Sequence, residues 1–241
     1  MALEPRQRTI SMGAGVDSRA GIDEGLRRYM LRVYNYMALG VALTGVVAFA
    51  VSSSPEAIQF IFGNTLIRWA VMLAPLAFIM ILSFGLHKLS MPATQLLFWA
   101  FAGVMGLSLS SIFIVYSLPS ITRIFFITAS AFAALSLFGY TTKKDLSGMG
   151  TFLFMGLVGI IIASVVNIFL ASSMMHFIIS VVGVLVFAGL TAYDTQKIKS
   201  EYHISDSGEV AEKKAISGAL RLYLDFINMF IMLLSLFGSR D

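Results

Sequence analysis

Long apolar runs broken by short polar punctuation cover most of the chain, and their lengths set the reading. A polar stretch, Met1 to Gly21, is followed by the basic, part-apolar segment Leu26 to Arg32 and then by an apolar run of about 33–51, which Ser52-Ser53-Ser54-Pro55-Glu56 interrupts. Further runs follow at about 69–86, 92–116 and 124–140, divided by His87-Lys88 ahead of Pro92 and by Leu118-Pro119-Ser120, and closed by Thr141 to Gly148. The uncharged stretch from Leu146 to Tyr193 is too long for one crossing, and Ala171-Ser172-Ser173 divides it into runs of about 151–170 and 176–194. A charged loop, Lys197 to Lys214, leads into a last run of about 215–237. About twenty apolar residues cross a hydrocarbon core of roughly 30 Å. The pattern therefore predicts an all-α polytopic membrane protein with seven transmembrane helices. Residues 22–241 read as one transmembrane domain. Residues 1–21, which lack the apolar core of a signal peptide, read as a flexible cytoplasmic tail.

Composition sharpens this picture. Of the 241 residues 58% are hydrophobic and 12% charged, about half the charged share of a soluble domain, and the mean hydropathy is +0.85. With no cysteine, disulfides, thiolate metal sites and cysteine nucleophiles are excluded. The net charge of +4 does not point to nucleic acid, because the basic residues sit at helix ends and report orientation instead. With the N-terminus inside, fourteen Lys and Arg fall on the inner side and three, Arg68, Arg123 and Arg240, on the outer. The bias predicts a cytoplasmic N-terminus. If the last segment dips in and returns, only Arg240 changes sides.

The chemistry concentrates in that last run. Asp225 lies within it, flanked by apolar residues, in helical line with Lys214, Gly218, Arg221, Asn228 and Ser235. A carboxylate at the centre of a bilayer helix costs about 2.5–3.5 kcal/mol on insertion scales, so it faces protein or water and has a partner. Arg221, four residues away, is one counter-charge. Asp194, at the inward end of the preceding helix, is a second intramembrane carboxylate, and Lys88, or His87 beside it, lies at a similar depth.

Four readings of the two aspartates follow. As a proton-sharing dyad they act as a pH sensor, since two carboxylates in a low-dielectric site cannot both ionise cheaply. As a cation site, Asp194, Asp225 and Asn228 supply oxygens to Ca²⁺, too few for a dedicated metal site, so only weak contact is expected. An aspartyl intramembrane protease also sets one aspartate in each of two consecutive helices. Tyr193-Asp194 fits that pattern, but Leu222-Tyr223-Leu224 stands where Gly-x-Gly precedes the second aspartate. In the fourth reading Asp194 caps its helix and pairs with Lys197 or Lys88. His87, His176 and His203 lack metal-site spacing, and no Gly-x-Ser-x-Gly elbow occurs. Gly103, Gly106 and Ser110 read as helix-packing contacts, and Asn167 as a polar tie.

Three segments, GYTTKKDLSGMG (Gly139 to Gly150), AYDTQKIK (Ala192 to Lys199) and LYLDFINMFIMLLSLFG (Leu222 to Gly238), resemble the Bax inhibitor-1 family (transmembrane BAX inhibitor motif) in its bacterial YccA-like branch. The resemblance covers about Tyr29 to Gly238. It implies six helices around a central C-terminal helix, and a pH-sensitive calcium leak gated by Asp194 and Asp225. It also implies a basic counter-charge near the inner end of the second helix, where this chain has Lys88 in place of an arginine. The branch is further linked to restraint of a membrane-bound AAA protease, a different class of function. The expected reading is thus a cation leak of the inner membrane with Ca²⁺ and protons as its partners, and no cofactor, resident metal, enzyme activity or nucleic-acid partner. The alternative is a regulator of a membrane-bound protease acting through the tail and inner loops.

Overall fold

The computed structural model describes residues 13–85 and 88–240, with side chains described from Glu24 onward. The remaining tail residues and His87 lie outside the described residues. Nine helices account for the fold among them. Helix α1 spans Gly13–Ser52 and α2 the short segment Pro55–Gly63. Then come α3 (Thr65–Gly85), α4 (Met91–Leu109), α5 (Ile112–Val115), α6 (Leu118–Thr141), α7 (Ser147–Leu170), α8 (Ser173–Ser200) and α9 (Gly208–Phe237). Seven segments are long and apolar enough to cross a membrane, α4 and α5 together forming the third.

Several ends are fixed by local chemistry. Ser54, Ser172 and Ser207 accept from the backbone N–H groups of Ala57, Met175 and Val210, satisfying donors that a helix start leaves unpaired. Asn64 Oδ1 does the same for Leu66 N–H at 2.9 Å. Pro55, Pro92 and Pro119 sit in first turns, where the missing N–H costs nothing. Pro75 is different, lying buried inside α3. It cannot donate to the Val71 carbonyl four residues back, and the Ser108 hydroxyl of α4 donates to that carbonyl instead. The α7–α8 turn ends on Ala171 at φ 48°, and Asn167 Oδ1 secures it by accepting from Ser172 N–H at 3.0 Å.

The last helix is the centre of the bundle. Of its most apolar window 56% is buried, against 11% for those of α3 and α7. α1, α4, α6 and α8 pack directly on α9, while α3 packs on α4 and α7 on α8. The six other spans therefore surround the C-terminal helix in two ranks. Outward faces carry Leu66, Phe84, Phe152, Phe169 and Leu185, each more than half exposed, a surface suited to lipid rather than water.

The boundaries refine the expectation in four places. α1 begins at Gly13, inside the stretch read as a flexible tail, and α2 lies in the interval between the first two apolar runs. α8 continues to Ser200, so Asp194 lies within the helix and does not cap it; the cap is Glu201. α9 is unbroken to Phe237, and Ser239 N–H donates to Ser120 Oγ at the start of α6, at 2.9 Å. The last segment is thus one continuous helix, long and apolar enough to cross, and does not turn back. Finally, Gly106 packs tightly on Val47 and the Thr44 carbonyl of α1, whereas Gly103 faces open space.

Candidate functional site

α8 and α9 run antiparallel in a register that sets Ile198 against Gly218 and Met232 against Gly183. That register carries Asp194 to within about a turn of Asp225. The two carboxyl groups lie within hydrogen-bonding reach of each other. Asp225 is 4% exposed and is the only Asp, Glu, Lys, Arg or His side chain buried among the described residues. Its Oδ2 has no partner among the described donors.

Charged groups cluster around the end of α8 and the N-terminal half of α9. The Arg221 guanidinium acts on both aspartates, yet it donates to Glu201 Oε1, at 2.8 Å, rather than to Asp225. The expected neutralisation within one helix is thus replaced by an ion pair between the end of α8 and α9. Lys197 also acts on Asp194. About two turns before Arg221 on α9, Lys214 Nζ donates to the Glu201 carbonyl at 3.0 Å and to Asp206 Oδ2 at 2.7 Å. The Lys214 ammonium holds the Asp206 carboxyl below the usual carboxylate range. Glu212 accepts from Tyr36 at 2.7 Å and pairs with Arg32, joining α9 to α1.

The C-terminal half of the α9 stripe leads to a second polar region. Asn228 Nδ2 donates to the Leu224 carbonyl at 2.8 Å, which leaves its Oδ1 without a protein donor among the described residues. Beyond the Met232–Gly183 contact lies a cavity of about 300 Å³ lined by Asn167, His176, Ser180 and Ser235 among others. His176 Nε2 and Ser235 Oγ share a hydrogen bond of 2.6 Å.

Lys88 is not brought into this arrangement. It is exposed in the turn between α3 and α4, makes no ion pair among the described residues, and is not among the charges acting on either aspartate. Of the two basic residues read as counter-charges, Arg221 is the one that acts on the aspartates. Sequence reasoning missed two hydroxyl ties that hold α9 and its neighbours. Tyr223 OH and Thr44 Oγ1 share a bond of 2.7 Å, and Thr44 donates on to the Ala102 carbonyl at 2.8 Å, joining α9, α1 and α4. Ser136 of α6 bonds both Tyr34 of α1, at 2.7 Å, and Thr195 of α8, at 2.9 Å. Among the described residues no group of three or more His, Cys, Asp or Glu side chains converges as a metal cage.

The comparisons with known proteins agree with this architecture. Residues 26–241 match the family described as "Inhibitor of apoptosis-promoting Bax1". The "Uncharacterized protein RP147" of Rickettsia prowazekii is 49% identical over 218 residues, covering 90% of this chain and 92% of its own. "Inner membrane protein YbhL" of Escherichia coli K12 is 46% identical over 218 residues, 90% of this chain and 93% of its own. A Streptococcus pyogenes relative, "Uncharacterized membrane protein SpyM3_0260", is 34% identical over 221 residues, 91% of this chain and 96% of its own. With seven membrane-crossing helices around a buried aspartate-bearing helix, and a match that runs from the first span to the last residue, the chain belongs to the Bax inhibitor-1 family of membrane proteins.

Proposed function

We propose that the protein is a pH-sensitive leak pathway for Ca²⁺ and other cations, gated by Asp194 and Asp225. The observation that carries this reading is the placement of Asp225. It is a buried carboxylate at mid-helix on the central element, in reach of a second carboxylate and between a charged inner cluster and a polar outer cavity. A residue that serves only packing does not need this chemistry, and its insertion is costly. With one shared proton the pair links α8 to α9 in a low-dielectric setting; a change in its protonation alters that link and its affinity for a cation. Two carboxylates and the Asn228 amide oxygen fall short of the six to eight oxygens that hold Ca²⁺ firmly. A passing, partly hydrated ion fits such a set better than a resident one, and the reading requires no covalent catalyst.

The name of the YbhL relative supports an inner-membrane setting, and the Lys and Arg distribution supports a cytoplasmic N-terminus. The Arg221–Glu201 and Lys214–Asp206 pairs then form the inner closure. Restraint of a membrane-bound protease, the alternative, rests on the N-terminal tail, whose first twelve residues lie outside the described ones. The test is Ca²⁺ flux into proteoliposomes at pH 6 and pH 8. Wild-type protein is expected to exceed empty liposomes by a pH-dependent margin that Asp225→Asn abolishes. The same pH dependence in that variant would sink the proposal.

A further inference from the structure

α1 and α6 flank α9 but scarcely touch each other, and the space between them forms a groove that faces the bilayer. At its inner end is a cavity of about 600 Å³ bordered by Arg27, Tyr34, Ser136 and Tyr140. It continues through a cavity of about 260 Å³ over Met37, Ala38, Phe132 and Phe226. A third, of about 250 Å³, lies between Val41, Ala48, Leu118 and Phe125 near the outer end. Neighbouring cavities share residues: Met37, Ala38 and Phe132 border the first two, and Val41, Phe125 and Phe226 the last two. From Arg27 to Ala48 the helix rises roughly 32 Å at about 1.5 Å per residue, the thickness of a hydrocarbon core.

The lining changes character along that length. The inner mouth carries the exposed Arg27 and three hydroxyls, and Lys199 of α8 sits beside it, donating to the Tyr140 carbonyl at 2.7 Å. Among the described residues no acidic side chain borders any of the three cavities. Outward the walls are almost wholly aliphatic and aromatic. This is the polarity of a single phospholipid laid along the protein, charged at the inner end and greasy towards the middle. The Tyr34–Ser136 hydrogen bond bridges the groove, and Ser136 bonds onward to Thr195, the residue after Asp194.

We infer that the groove between α1 and α6 is a binding site for one anionic phospholipid of the inner leaflet, with its phosphate at Arg27 and an acyl chain along Tyr34, Ala38 and Phe132. The lipid fills the gap between α1 and α6 and so supports the wall behind Asp194. The site stands whether or not the protein conducts cations.

The experiment reconstitutes the full chain in vesicles of 80% phosphatidylcholine and 20% phosphatidylglycerol, extracts it in mild detergent and counts retained lipids by native mass spectrometry. One retained phosphatidylglycerol per chain is expected, in preference to phosphatidylcholine. Arg27→Gln is expected to lower retention about fivefold, the usual share of one basic residue at an anionic lipid surface, and Arg68→Gln, at the opposite end of the bundle, to leave it unchanged. Ala38→Trp, which fills the groove, is expected to abolish retention. Should Ala38→Trp fail to fold, the comparison of Arg27→Gln with Arg68→Gln decides alone. Equal retention in wild type and Arg27→Gln, or no preference over phosphatidylcholine, would reduce the groove to ordinary lipid contact and overturn the inference. A lipid-free dimer would assign it to a second copy, which also overturns it.

Discussion

The ion pair between Arg221 and Glu201 should set how often the inner side opens. Its partners stand 2.8 Å apart, with side chains 32% and 27% exposed. Unit charges about 4 Å apart attract by about 4 kcal/mol at an effective dielectric of about 20. Partial solvation and side-chain ordering reduce that, so the pair belongs between an exposed one at about 0–1 kcal/mol and the 3–5 kcal/mol typical of breaking a buried one. A net of about 1–2 kcal/mol follows, a factor of roughly 5–30 in a two-state ratio. In proteoliposomes, Arg221→Gln and Glu201→Gln should each raise basal Ca²⁺ flux by about that factor. The double variant should add little, because both changes remove one interaction. Arg221 acts on both aspartates, whereas Glu201 acts, with opposite sign, on Asp194 alone, so Arg221→Gln should move the pH profile more than Glu201→Gln. Since the chain has no cysteine, thiol labelling of Ile198→Cys, buried against Gly218, reports opening independently of flux. Unchanged flux and labelling in both single variants would refute the assignment of this pair as the inner closure.

Lys88→Ala should leave both the flux and its pH profile unchanged, because Lys88 is exposed and remote from the charges around the dyad; a shifted profile would restore it as a counter-charge. A methyl group at Gly139 would collide with the Ala192 carbonyl of α8, so Gly139→Ala should destabilise the bundle by about 1–3 kcal/mol, whereas Gly103→Ala, facing open space, should be near neutral; thermal unfolding in detergent checks both. The Lys214 bond lowers the Asp206 carboxyl below its unfolded value, so its stabilisation is fully present above about pH 4. It is lost as the pH falls through the lowered value, and Asp206→Asn should remove that acid-dependent part of proteolytic resistance in the α8–α9 loop. Ala171→Gly should stabilise the α7–α8 turn by up to about 1 kcal/mol, since it relieves a left-handed alanine; a lower unfolding temperature would contradict this.

The seven crossings were legible because a bilayer requires apolar length, and apolar length is written directly in the chain. The burial of Asp225 was legible for the same reason, as a charge that hydrocarbon does not tolerate. What periodicity does not carry is which side chains meet. Tyr34, Ser136 and Thr195 are common residues in apolar helices, and their bonds join positions 102 and 59 residues apart. The Ser108–Val71 bond could be sought only after asking which carbonyl Pro75 leaves unpaired. The counter-charge was divided between Lys88 and Arg221 because sequence order gives depth in the membrane but not which helices pack together. α3 lies in the outer rank, which leaves Lys88 exposed and outside the Arg221 cluster. Asp194 read as a helix end because the charged residues after it suggest an interface, yet α8 continues through Lys197 and Lys199 to Ser200.

The central claim is that Asp194 and Asp225 act as one titrating unit that gates cation flux. The most direct measurement is Ca²⁺ flux across pH 6 to 8 for wild type, Asp194→Asn, Asp225→Asn and the double variant, in vesicles of one lipid composition. The account predicts a pH-dependent wild type, a flat profile in each single variant, and a double variant no different from either, as shared sites require. Independent pH dependence surviving in one single variant, or additive effects in the double, would contradict it.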